Sequence, residues 1–97
     1  MDLKNIRKNI DEIDEEIVQL LCKRFAFCSE VANYKMQNNL AILDESREEQ
    51  KLDDICKCAG TELAPYISEV YKHIMDESKK YQKDTMGNLQ SSGLNNA

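Results

Sequence analysis

Apolar residues recur every three to four positions along most of this 97-residue chain, and a few strongly polar ones interrupt the recurrence. Turned at about 100° per residue, Ile6, Ile10, Ile13, Ile17, Leu20, Leu21, Cys28 and Val31 fall within roughly 60° of one line, the width of a core-facing stripe. Arg24 and Lys35 lie on that same line. Leu52, Ile55 and Ala59 share a second line with Glu48, and Asp44 stands just before it. Leu63, Ile67, Val70, Tyr71 and Ile74 share a third with Ser78 and Gln82. Charged groups on a buried face are costly unless they find partners. Three helices that accept that cost predict a polar cavity inside a helical bundle.

The pattern sets the elements. The first helix runs from about Leu3 to Gln37 without Gly or Pro, and Asn38-Asn39 breaks it. Leu40 to Leu43 form a short apolar connector. Asp44 or Ser46 can cap a second helix, which runs to about Cys58 and stops at Gly60. A third helix opens between Thr61 and Pro65, a residue tolerated in a first turn, and continues to about Gln82 or Asp84. The last stretch, KDTMGNLQSSGLNNA, is rich in Asn, Ser and Gly and lacks periodicity, so a disordered tail is expected there. With no internal repeat and no strand pattern, the fold class is all-α: a helical domain over 1–83 followed by a tail over 84–97.

Length adds a constraint. A helix from Leu3 to Gln37 is about 52 Å long, whereas a compact chain of this size is only roughly 30 to 35 Å across. The first helix must protrude, and its protruding half still carries the Ile6–Ile17 stripe. A second copy covering that stripe gives an intertwined two-fold homodimer. A plain antiparallel coiled coil is the simpler alternative, but it leaves Arg24 and Lys35 in its seam unexplained.

Composition narrows the function. A net charge of −5, with Lys and Arg scattered and no basic stripe with interleaved aromatics, argues against nucleic acid as a partner. Nothing reads as a membrane span or a secretory signal, so a cytoplasmic location is expected. Inward-facing cations nevertheless outnumber inward-facing acids, which points to a small anionic ligand. Cys22, Cys28, Cys56 and Cys58 offer one CxC and a single His73, a poor match to zinc-ligand spacing. Cys28 and Cys56 fall on apolar faces, where a reduced thiol behaves as a small hydrophobe. His73 reads as a surface or edge residue.

The candidate site residues are Arg7, Arg24, Lys35, Asp44, Arg47, Glu48, Ser78 and Gln82. Arg24 and Lys35 are three turns apart on one face, about 16 Å along the axis. Arg7 lies about 25 Å from Arg24, too far for one small ligand to bridge within one helix. In a dimer with antiparallel long helices, one chain's Arg7 can approach the other's pocket. Guanidinium groups suit bidentate recognition of carboxylates, Lys35 is a compact donor, Gln82 a neutral donor, and Glu48 an acceptor for a hydroxyl or a partner for Lys35. Taken singly, Arg7 and Arg47 also read as solvated helix edges, and Ser78 as a serine bonded to its own helix backbone.

In register, these residues resemble the all-helical type II (AroQ) chorismate mutases in their free-standing bacterial form, over about residues 3–82. The most specific part is Arg24, Lys35 eleven positions later, Asp44, and then Arg47-Glu48. The IRKNI segment around Arg7 and the ESKKYQ segment ending at Gln82 also align. The resemblance implies an isomerase of aromatic amino-acid biosynthesis that rearranges chorismate to prephenate without metal or cofactor. It implies that Arg24 and the Arg7 of the twin chain hold the two carboxylates. Lys35 would bond a carboxylate and the ether oxygen, and Gln82 that same oxygen. Glu48, with backbone near Asp44, would take the ring hydroxyl, Arg47 would support the acids, and Ser78 would lie beside a carboxylate. Ala41 stands where many relatives carry proline, a change that removes no ligand group. At this length a free-standing mutase, without a fused catalytic or effector domain, is expected. Two rivals remain open: a pyruvate-eliminating isochorismate lyase on the same scaffold, and a non-enzymatic helical dimer whose polar residues set register.

Overall fold

Asp2 starts the first helix by accepting the Asn5 amide on its side chain at 2.9 Å. From there α1 runs unbroken from Leu3 to Gln37, followed by α2 (Glu45–Ala59) and α3 (Ala64–Asn95). The computed structural model describes residues 2–95, with side chains through residue 87. Every described element is helical, as the periodicity predicts.

The helix ends follow local chemistry. Asn39 takes φ +55°, a conformation Asn tolerates better than most residues. The Leu40 amide then returns to the Lys35 carbonyl at 2.8 Å and the Asn39 amide to the Met36 carbonyl at 3.4 Å, a Schellman closure. Asp44 caps α2, its carboxylate accepting the Arg47 amide at 3.0 Å. Replacing it by Ala should lower stability by about 1 kcal/mol, the usual worth of such a cap. Urea unfolding of Asp44→Ala checks this; an unchanged midpoint would deny Asp44 its capping role. Gly60 ends α2 at φ +83°, where a side chain would be strained.

α3 continues well past the Gln82–Asp84 end predicted from the pattern, reaching Asn95. A low-periodicity composition argues against packing, but extending an existing helix needs only one further backbone bond per residue. No proline follows Pro65 to stop it, and Thr85 and Met86 are still half-buried. Asn96 and Ala97 lie outside the described residues.

α3 is the element on which both others pack. It runs parallel to α1: Arg24 meets Ser78, and one residue on, Phe25 stacks on Tyr81 with ring centroids 5.3 Å apart. α2 runs against α3, Glu48 pairing with Lys79 while Cys56 lies near Lys72. The whole measures 62 Å along its longest axis, with a radius of gyration of 17.4 Å; about 13 Å is usual for a compact chain of this length. Leu3, Ile6, Ile10, Ile13 and Ile17 are exposed on the protruding half of α1. Among the described residues, only Cys28, Ala32 and Met75 are buried apolar side chains.

Candidate active site

Between the three helices lies a partly open cavity of about 200 Å³, smaller than the roughly 300–1,000 Å³ of sites for drug-sized molecules. α1 lines it with Arg24, Cys28, Val31 and Lys35. α2 contributes Arg47, Glu48 and Lys51 together with its cap Asp44. α3 contributes Met75, Ser78, Lys79 and Gln82, and the connector adds Ile42. On each helix the lining residues are three or four apart, the spacing that keeps side chains on one face.

Seven of the eight candidate residues therefore come together: Arg24, Lys35, Asp44, Arg47, Glu48, Ser78 and Gln82. Arg7 does not. It is exposed near the start of α1, among Leu3, Lys4, Lys8 and Asp11. Lys51 and Lys79 line the cavity and were not among the candidates. A signal for both was present: 44, 47, 48, 51 and 75, 78, 79, 82 are complete i, i+3, i+4, i+7 sets. Attention to polar residues at the centre of each stripe passes over those at its edge.

The cavity's polar groups are each tied down by part of their bonding capacity. Arg24 donates through Nη1 to Ser78 Oγ and, at 3.8 Å, to Cys28 Sγ. A guanidinium has five N–H donors, so most of its fork remains free for a carboxylate. Ser78 Oγ in turn donates to the Ile74 carbonyl at 2.7 Å, the self-bonding alternative open to a buried serine. Lys35 Nζ donates to the Ile42 carbonyl at 2.7 Å, which draws the connector over the pocket and leaves two ammonium protons. Gln82 is only 8% exposed, and its Oε1 is buried without a partner. A buried polar atom in that state costs about 1–3 kcal/mol. The unpartnered atom is the acceptor half of the amide; the half that can donate to a ligand oxygen is Nε2.

Charge is inverted relative to the whole chain. Arg24, Lys35, Arg47, Lys51 and Lys79 face two acids, Asp44 and Glu48, in a protein of net charge −5. Glu48 is paired with Lys79 at 2.8 Å. That hydrogen bond holds the Lys79 ammonium above the ordinary lysine value against the opposing effect of burial, and Asp76 adds to it. The pair stabilises the fold while Lys79 is protonated and Glu48 ionised, and on the alkaline side the contribution is lost as pH rises through the raised lysine value. His73 is exposed and stands outside the cavity, beside Leu21, Phe25, Val70, Ile74 and Glu77. All four cysteines are free thiols, and among the described residues no group of His, Cys, Asp and Glu is placed to hold a metal ion. Nor is any helix there long and apolar enough to cross a membrane.

Comparison with known proteins agrees with this chemistry. Residues 6–83 match the family model of type II chorismate mutases. A chorismate mutase of Methanocaldococcus jannaschii is 32% identical over 91 residues, covering 92% of this chain and 92% of that protein. A bifunctional chorismate mutase/prephenate dehydratase of Buchnera aphidicola (from Schizaphis graminum) is 36% identical over 85 residues, covering 84% of this chain. A protein of the same bifunctional description from Aquifex aeolicus is 38% identical over 56 residues. The chain spans only 22% and 16% of these two bifunctional relatives. No solved structure matches the chain.

Proposed function

The chain belongs to the type II chorismate mutase family and is an isomerase; we propose that its three-helix pocket binds chorismate and rearranges it to prephenate. The observation that carries this is the convergence of five cations and one buried amide on a single small cavity of an otherwise acidic protein.

The reaction is an intramolecular 3,3-rearrangement. The uncatalysed path exists, so the protein accelerates it by holding the enolpyruvyl side chain over the ring and by stabilising negative charge as it grows on the ether oxygen. Arg24 uses the free part of its fork on one carboxylate. The second carboxylate is met by Arg7 of a second copy, whose long helix lies antiparallel in an intertwined homodimer. Support for that assembly comes from the exposed Ile6–Ile17 stripe and from an Arg7 that its own pocket cannot use. Lys35 and Gln82 donate to the ether oxygen, and Glu48, with backbone near Asp44, accepts the ring hydroxyl. Arg47 offsets the charge of Asp44 and Glu48, and Ser78 keeps the Arg24 guanidinium in place beside the carboxylate. The place of work is the cytoplasm, where the free thiols stay reduced.

Loss of chorismate absorbance on adding purified protein tests the activity directly. A parallel incubation with isochorismate distinguishes elimination of pyruvate from rearrangement, and turnover of isochorismate alone would sink the proposal. A second expectation follows from the amide. Gln82 does not titrate, so kcat/KM should stay high from about pH 6 to 8 in a constant-ionic-strength buffer series. A steep loss across that interval would remove Gln82 from the role of ether donor.

A further inference from the structure

Glu48 poses a problem that the proposed reaction does not solve. It is a carboxylate in the wall of a pocket meant for a dianion, where like charges repel. Its solution stands on the opposite helix. Lys79 Nζ approaches Glu48 Oε1 to 2.8 Å and Asp76 Oδ1 to 3.4 Å. Both partners of the closer pair have side chains 27% exposed, half-withdrawn from water, where an ion pair is screened less than at the surface. Lys79 sits beside Ser78 and one turn before Gln82, on the face that α3 turns to the cavity. Among the described residues, no hydrogen bond engages the second oxygen of Glu48.

We propose that Lys79 is a positioning residue: by occupying one oxygen of Glu48 and neutralising it, Lys79 presents the other oxygen to the ring hydroxyl of the substrate. This deepens the mutase reading and rests on it. Asp76 steadies the ammonium from the solvent side, so the arrangement runs Asp76, Lys79, Glu48, hydroxyl. Arg in place of Lys79 would keep the charge and the donor. Met would keep only the length of the stem.

The test uses the full-length protein and chorismate. Lys79→Met should raise KM about tenfold with kcat changed by less than about threefold, because a hydroxyl contact is made in the ground state and the transition state alike. Lys79→Arg should restore most of the loss. In a Glu48→Gln background, where the acceptor is already neutral, adding Lys79→Met should cost less than about twofold. The same tenfold loss in that background would overturn the proposal, since Lys79 would then act on the substrate directly or through the architecture alone. An unchanged KM in Lys79→Met would overturn it equally. Should Lys79→Met fail to fold, Lys79→Gln supplies the neutral variant, with circular dichroism as the control. Failure of the mutase reading itself would be visible earlier, as no turnover by the unsubstituted protein, and would take this proposal with it.

Discussion

Lys35→Ala should lower kcat/KM for chorismate at least about a hundredfold while leaving the helical content and the assembly unchanged. The magnitude follows from its proposed role: one preorganised donor aimed at developing charge is worth about 3 to 4 kcal/mol, and each 1.4 kcal/mol or so is a factor of ten. The loss should fall mainly on kcat, because the ether oxygen gains its charge only in the transition state. A smaller structural effect accompanies it. Without the ammonium, the Ile42 carbonyl loses its 2.7 Å donor, which should cost about 1 kcal/mol of stability. Lys35→Met separates the two effects by keeping the packed stem. Steady-state kinetics beside size-exclusion chromatography checks the whole expectation. A change of oligomeric state with activity intact would favour a register-setting role for the lysine over a catalytic one.

The second large effect is a recovery. Arg7→Ala and Arg24→Ala should each be nearly inactive alone, since each leaves one carboxylate of the dianion unmet. Co-expressed in equal amounts, they should regain about a quarter of the unsubstituted activity. In the proposed homodimer half the dimers are then mixed, and each mixed dimer rebuilds one intact site from one chain's Arg24 and the other's Arg7. Subunits tagged differently on the two variants allow the mixed dimer to be isolated and assayed. No recovery in that species would mean that Arg7 serves its own chain or none.

Much of this site was legible in the sequence because helices repeat. Ser78 and Gln82 stand out in a run of apolar positions, and they are the two buried polar residues among those described. Asn38-Asn39 and Gly60 mark helix ends because few other residues accept the backbone angles found at Asn39 and Gly60. Lys51 and Lys79 escaped because each lies one step from a residue that already explained the stripe, and only the geometry of three packed helices brings those edges inward. The end of α3 escaped for a different reason. Composition tells how readily a segment packs, whereas a helix already nucleated needs no packing to add another turn. Arg7 marks the limit of reading one chain. Its periodicity puts it at an edge, its position in the structure leaves it among exposed neighbours, and its proposed task lies in another molecule's pocket.

The sparse interior has a thermodynamic consequence. Ordering a backbone costs about 1–2 kcal/mol per residue, and among the described residues only three apolar side chains are buried. In the proposed homodimer, part of the apolar burial that stabilises the chain comes from the second copy, which couples folding to association. Dilution then acts as a denaturant: the melting temperature should climb with protein concentration, and refolding should slow as the solution is thinned.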